Sequence, residues 1–182
     1  MAASGPILFT PRLMLRPAEM GDLDDWVRFA GDPETMRFMG GAQPRSVAWR
    51  SLCTLAGAWS IRGFSSFSVI ERSSGRWVGR VGPWQPEDWP LPEIVYGLLP
   101  DFTGRGYATE SAGAAIDYAV DALGWTTVSH IIDPANLASI AVAKRLGATN
   151  RGAVALPPTM TASRVDDWGQ TAAQWRAHRR SA

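Results

Sequence analysis

The chain has 182 residues, 46% apolar and 19% charged, with 18 basic against 17 acidic side chains. That length suits one domain with a proper core, the ordinary charge content argues against disorder, and a net charge of +1 supplies no general field for nucleic acid. A single cysteine, Cys53, excludes an internal disulfide and a cysteine-cluster metal site; it lies in an apolar stretch, where a buried, inert thiol is expected.

The chain opens with Met1 to Pro6, which has neither a basic n-region nor an apolar h-region, so no signal peptide is expected. Residues 7–16 alternate around Ile7, Phe9, Leu13 and Leu15 and predict a strand. Asp22 is placed to N-cap a helix with Leu23, Trp26, Val27 and Ala30 on one face, ended by Asp32-Pro33. Ser46 opens a second helix, with Trp49, Leu52, Cys53, Ala56 and Trp59 at helical spacing. Phe64 to Glu71 and Arg76 to Val81 predict a hairpin around Ser73-Ser74-Gly75. Trp84 to Pro92, rich in proline and tryptophan, predicts a loop, and Glu93 to Leu99 a buried strand stopped by Pro100.

A glycine turn follows, and then a helix from about Tyr107 to Leu123. Its face of Ala108, Ala112, Ala115, Ile116, Ala119 and Leu123 allows close packing on a sheet, and Gly124 suits its end. The β-branched Thr126 to Ile132 predicts a strand, Asp133-Pro134 a turn, and Leu137 to Leu146 a helix ended by Gly147. Gly152 to Ala172 is strand-like and interrupted by Pro157-Pro158; Arg176, His178, Arg179 and Arg180 suggest a solvated basic tail. The order of elements implies an α/β (mixed α+β) fold, a mixed sheet flanked by helices, in a single domain over 1–182. No apolar run approaches the ~18–20 residues of a membrane span. Two histidines, His130 and His178, suggest no metal centre. A soluble cytoplasmic protein without metal, nucleic-acid or membrane partners is therefore expected.

The most telling segment is Thr103-Gly104-Arg105-Gly106-Tyr107-Ala108-Thr109-Glu110, between a strand and a helix. Glycines let the main chain approach a ligand, and the helix start adds N–H groups and a positive dipole end. Such a turn suits a phosphate or pyrophosphate. A dinucleotide fingerprint, G-x-G-x-x-G, would need a third glycine where Thr109 stands. A P-loop would need Gly-Lys followed by Ser or Thr, which the chain lacks.

The segment Leu98 to Ala148 resembles the Gcn5-related N-acetyltransferases (GNAT), in the branch of ribosomal-protein and small-molecule N-acetyltransferases. The family's coenzyme A turn follows Q/R-x-x-G-x-G/A. Here Thr103 takes the first position, a departure, Gly106 the fourth and Ala108 the sixth. A second block, Asn136 to Gly147, is similar to the family's asparagine-led helix closing in Leu-Gly. Further similarity lies in Pro11 to Arg16, Gly82-Pro83-Trp84 and Trp168-Gly169-Gln170, so it covers most of the chain.

The resemblance implies a GNAT fold, with a mostly antiparallel sheet splayed at an acetyl-CoA site and a cofactor-binding core over about 93–148. It implies acetyl transfer from a thioester to an amine of a small molecule or a peptide or protein N-terminus. A lysine-like amine has a pKa of about 10.4, so a base must take its proton. Glu93, at the start of the strand leading to the turn, is the candidate; an edge glutamate facing solvent is the alternative. The turn, Gly104, Arg105, Gly106, Tyr107, Ala108 and Thr109, would hold the pyrophosphate. Leu98 and Leu99 would bond the pantetheine through their main chain, one N–H also serving as oxyanion donor. Asn136 would contact the pantetheine arm, or simply cap its helix, and Lys144 would reach a phosphate. Many family members protonate the thiolate with a tyrosine seven residues after the asparagine, where this chain has Ala143. Ser139 is the substitute candidate, with helix packing as its other reading; Tyr96 and Tyr107 are the remaining phenols nearby. Trp49, Trp59, Trp84, Trp89 and Trp168 are candidates to line an acceptor pocket. A non-catalytic acyl-CoA-binding module is the alternative function, and a monomer or homodimer is expected.

Overall fold

The computed structural model describes residues 5–157 and 164–181. Two compact units are formed, residues 1–82 with 96–114 and residues 83–95 with 115–182. In the first, β1 (Leu8–Phe9), β2 (Leu13–Pro17), β3 (Phe67–Glu71), β4 (Trp77–Trp84) and the end of β5 (Glu93–Leu98) lie in that order. Strands β1 to β4 are antiparallel, as predicted for the hairpin around Ser73-Ser74-Gly75.

The strand expected over 7–16 is instead two strands, with Leu8 opposite Leu15 and Phe9 opposite Met14. Its middle folds because Pro11 fixes a bend and the Thr10 hydroxyl oxygen accepts the Leu13 N–H at 2.9 Å.

Helices α1 (Leu23–Gly31) and α2 (Arg45–Arg62) pack on this sheet through aromatic rings. Trp26 and Phe29 meet Trp77 edge-on at 6.0 and 5.8 Å, and Trp59 meets Phe67 at 4.9 Å. Asp22 precedes α1 but its carboxylate does not cap it. It takes two bonds from Arg16, at 2.9 and 2.6 Å, and one from the Ser68 hydroxyl at 2.7 Å. That pairing is what makes a nearly fully buried aspartate tolerable. Helix α2 buries Ala48, Leu52, Leu55 and Trp59, whereas Trp49 and Cys53 are exposed. Leu52 and Trp59 of the expected face are buried, but apolar residues occur on two sides of this helix, so Trp49 and Cys53 fall outside the core and the thiol is not buried.

In the second unit the order is β5, β6 (Thr127–Ile132), β8 (Val165–Thr171), β7 (Thr149–Val154). Strands β5 and β6 are parallel; β8 runs antiparallel to β6 and to β7. Helix α4 (Leu137–Arg145) covers one face, where Ala143 and Ile140 join Ile132, Ala148 and Trp168. Strand β7 begins earlier than the sequence suggests, with a bulge between Asn150 and Ala153; Pro158 lies outside the described residues.

The supposed basic tail is helix α5 (Ala172–Ser181). Trp175 is 2% exposed and donates its Nε1–H to Asp117 at 2.8 Å, while Arg176 and Arg179 pair with Asp121 and Asp117. These carboxylates lie on α3 (Tyr107–Asp121), so one indole and two acids turn a polar segment into a docked helix. Among the described residues no helix is long and apolar enough to cross a membrane.

Candidate active site

The glycine turn has the geometry its sequence calls for. Gly104 and Gly106 have φ of +73° and +80°, the left-handed region, on either side of Arg105. A Cβ on Gly104 would meet nothing within 4 Å, so the main chain is bare on that side. Helix α3 makes its first bond from the Glu110 N–H to the Gly106 carbonyl at 3.0 Å. The N–H groups of Tyr107, Ala108 and Thr109 therefore precede the helix's own ladder. A bare glycine main chain beside a helix start fits a pyrophosphate. The Arg105 side chain lies 5.4 Å from the Phe102 ring.

A set of side chains grips this turn, and sequence reasoning missed it. The Arg12 Nε–H donates to Glu110 at 2.6 Å and its Nη1–H to the Arg105 carbonyl at 2.9 Å. Glu110 also accepts the Thr10 hydroxyl at 2.6 Å and the Arg12 backbone N–H at 3.0 Å. Burial works against the Glu110 charge, but the bonds from Thr10 and Arg12 outweigh it and hold its carboxyl below the usual range. The Tyr107 hydroxyl donates to Glu71 at 2.5 Å, which together with burial pushes its phenol upward. Bonds from Ser74 and from Tyr107 in turn lower Glu71. Tyr107 is thereby a strut, its proton already committed. Arg12 sits in the Pro11 to Arg16 stretch that carries part of the resemblance, yet its partner is 98 positions away.

Leu98 is half-buried and Leu99 buried. The Leu99 N–H donates to Val78 at 2.9 Å and its carbonyl accepts from Phe102 at 3.0 Å. The Leu99 N–H is thus committed to the sheet rather than aimed at a ligand.

Glu93 is 5% exposed, so it is no solvent-facing edge residue. Its carboxylate accepts the Trp89 Nε1–H at 2.8 Å and the Ile131 backbone N–H at 3.1 Å. The second bond marks an interruption in the sheet. Glu93 pairs with Ser129, whose N–H reaches the Pro92 carbonyl at 2.9 Å. The next rung of a parallel ladder would join the Ile131 N–H to the Ile94 carbonyl. Instead, Glu93 takes the N–H, and the carbonyl is taken by His130 Nδ1 at 2.8 Å. Two side chains thus satisfy the two backbone groups that a continued ladder would have joined. A carbonyl only accepts, so the His130 proton is on Nδ1. Burial drives the imidazole down to about 4; the Ile94 bond and Asp167 oppose this, and Arg151 reinforces it.

On α4, the Asn136 side-chain oxygen accepts the Ser139 N–H at 3.1 Å, so Asn136 does cap the helix. Ser139 is half-buried, and Ala143, fully buried, belongs to the core. The Lys144 ammonium lies 5.4 Å from the Trp168 ring centre. Trp59 and Trp168 are core residues, Trp49 is 47% exposed, and Trp84 and Trp89 are half-buried. The tryptophans therefore do not act as one set. Among the described residues, no group of three His, Cys, Asp or Glu side chains could hold a metal ion.

Residues 12–149 match the acetyltransferase (GNAT) domain family. The chain is 27% identical over 148 residues to an uncharacterised N-acetyltransferase, p20, of Bacillus licheniformis, covering 80% of this chain and 83% of that one. An acetyltransferase structure from Agrobacterium tumefaciens superposes with a TM-score of 0.82 at 28% identity, covering 92% and 95% of the two chains. The fold is also that of RimL, a ribosomal L7/L12 α-N-protein acetyltransferase solved with coenzyme A, at a TM-score of 0.73 and 15% identity, over 91% and 98%. By this family match, which spans most of its length, the chain belongs to the GNAT family of N-acetyltransferases, which use acetyl-CoA.

Proposed function

We propose that the whole chain works as one domain that moves an acetyl group from acetyl-CoA to a primary amine of a small molecule or of a peptide or protein N-terminus, with Glu93 as the base. Acetyl-CoA supplies a thioester open to direct attack by an unprotonated amine. Glu93 takes the amine's proton, directly or through one water. Gly104 to Thr109 present backbone N–H groups to the pyrophosphate, with Asn136 beside the pantetheine arm and Lys144 near a phosphate. Ser139 is the candidate to protonate the thiolate, with Tyr96 as the other group nearby, since Ala143 has no proton to give and the Tyr107 proton is committed to Glu71. The Leu99 N–H is committed to Val78, which leaves Leu98 as the main-chain contact for the pantetheine.

The observation that carries this reading is Glu93 itself. A carboxylate 5% exposed and fixed by an indole N–H and a backbone N–H is held in a set direction. A fixed direction is what proton transfer to one site requires. The test is Glu93→Gln. Acetyl-CoA consumption with a responsive amine should fall by about 100-fold or more, with coenzyme A affinity changed less than about threefold. Turnover within a few-fold of the parent would remove Glu93 from the base role. Screening amines by mass spectrometry for the acetylated product identifies the acceptor class.

A further inference from the structure

Each trans peptide unit places its C=O and N–H in opposite directions. The carbonyl of Arg105 and the N–H of Gly106 belong to one such unit, so the direction of the first sets that of the second. A flip of this unit turns ψ of Arg105 and φ of Gly106, and Gly106, at φ +80°, is the residue type for which that turn costs least. A flip would aim a carbonyl where the turn should present an N–H. Something must hold the carbonyl back, and Arg12 is the side chain bonded to it, at 2.9 Å.

Arg12 is itself fixed from several sides. Its Nε–H donates to Glu110 at 2.6 Å, its backbone N–H to the same carboxylate at 3.0 Å, and its carbonyl accepts the Arg72 N–H at 2.9 Å. The guanidinium carbon lies 4.5 Å from the centre of the Tyr107 ring. A Cβ on Gly106 would come to 3.4 Å from Nη2, so the guanidinium lies close against the turn. An exposed ion pair alone contributes little. Here, however, Glu110 is 15% exposed and the planar fork also bonds a backbone carbonyl.

We propose that Arg12 is a positioning residue for acetyl-CoA: by holding the Arg105 carbonyl outward, it keeps the Gly106 N–H aimed at the pyrophosphate. This rests on the reading of Gly104 to Thr109 as the pyrophosphate cradle. Arg12 acts through the main chain and not as a phosphate ligand.

The test compares Arg12→Ala, Arg12→Lys, Glu110→Gln and Gly106→Ala in the full chain. Coenzyme A binding is measured by calorimetry and turnover with acetyl-CoA and with acetyl-pantetheine, which lacks the pyrophosphate. Arg12→Ala should weaken coenzyme A binding and raise KM for acetyl-CoA by about tenfold, with kcat at saturation and turnover of acetyl-pantetheine little changed. Arg12→Lys should recover only part, because an ammonium lacks the fork. Glu110→Gln should weaken binding in the same direction, and the double variant should lose no more than the larger single loss. Coenzyme A affinity within twofold of the parent in Arg12→Ala would overturn the proposal. So would additive losses, tighter binding in Glu110→Gln, or an equal loss with acetyl-pantetheine. Gly106→Ala separates the two readings. If it leaves coenzyme A affinity intact, the cradle is elsewhere and the Arg12 role falls with it. If it weakens binding while Arg12→Ala does not, the cradle stands and only the Arg12 role fails.

Discussion

His130 should make the protein acid-labile over a defined window. Its imidazole is 1% exposed, and burial carries it from the ordinary 6.5 to about 4. The unfolded chain therefore binds a proton at a pH where the folded chain refuses one. Stability from this residue is fully present above about pH 6.5 and is lost as pH falls toward 4. At about 1.36 kcal/mol per unit, that drop is worth about 3 kcal/mol, a large share of an ordinary domain's total. Urea unfolding of the parent and of His130→Asn, from pH 8 to pH 4.5, isolates the effect. Asparagine keeps an N–H within reach of the Ile94 carbonyl but has no proton to gain. The lowered carboxylates Glu71 and Glu110 also lose stability in acid, but they do so in both proteins and cancel in the difference. The parent's advantage over the variant should shrink steadily below pH 6.5. A difference independent of pH, or an imidazole found by NMR to titrate near 6.5 in the folded protein, would refute the reasoning.

Two further outcomes are expected. Gly79→Ala would put a Cβ 2.2 Å from the Gly97 carbonyl oxygen, a backbone atom with nowhere to go, so thermal unfolding should show a loss of about 2 kcal/mol or more. Cys53, exposed on α2, should react with a thiol reagent in the native protein without denaturant; protection until unfolding would contradict its placement.

Much of the fold was legible because its signals are local. The β-branched run of β6, the small-residue face of α3, Gly124 at φ +71° and Gly147 at φ +85° act within a few neighbours of themselves. The glycine turn and the Asn136 cap are local as well. What stayed hidden depends on distant partners. Helix α5 reads as a polar tail until Asp117 and Asp121 are placed beside it. Strand β7, Thr149–Val154, is mostly exposed and bulged, so no alternation betrays it. Thr10, Arg12 and Glu71 bear on the glycine turn only through contacts made across tens of residues. The strand position of Glu93 is legible in the sequence; its burial and its bond to Ile131 belong to tertiary structure.

That bond gives Glu93 two employers. Its Oε1 completes the backbone of a neighbouring strand, and in the proposed reaction the same carboxyl group collects a proton each cycle. A protonated carboxyl is a weaker acceptor for the Ile131 N–H, so every turnover would briefly loosen the strand end that Glu93 secures. Aspartate, one carbon shorter, would have to choose between the two tasks. Were Glu93 the base, natural variation or directed evolution at this position would be confined twice over, once by proton transfer and once by the unfinished rung of the sheet.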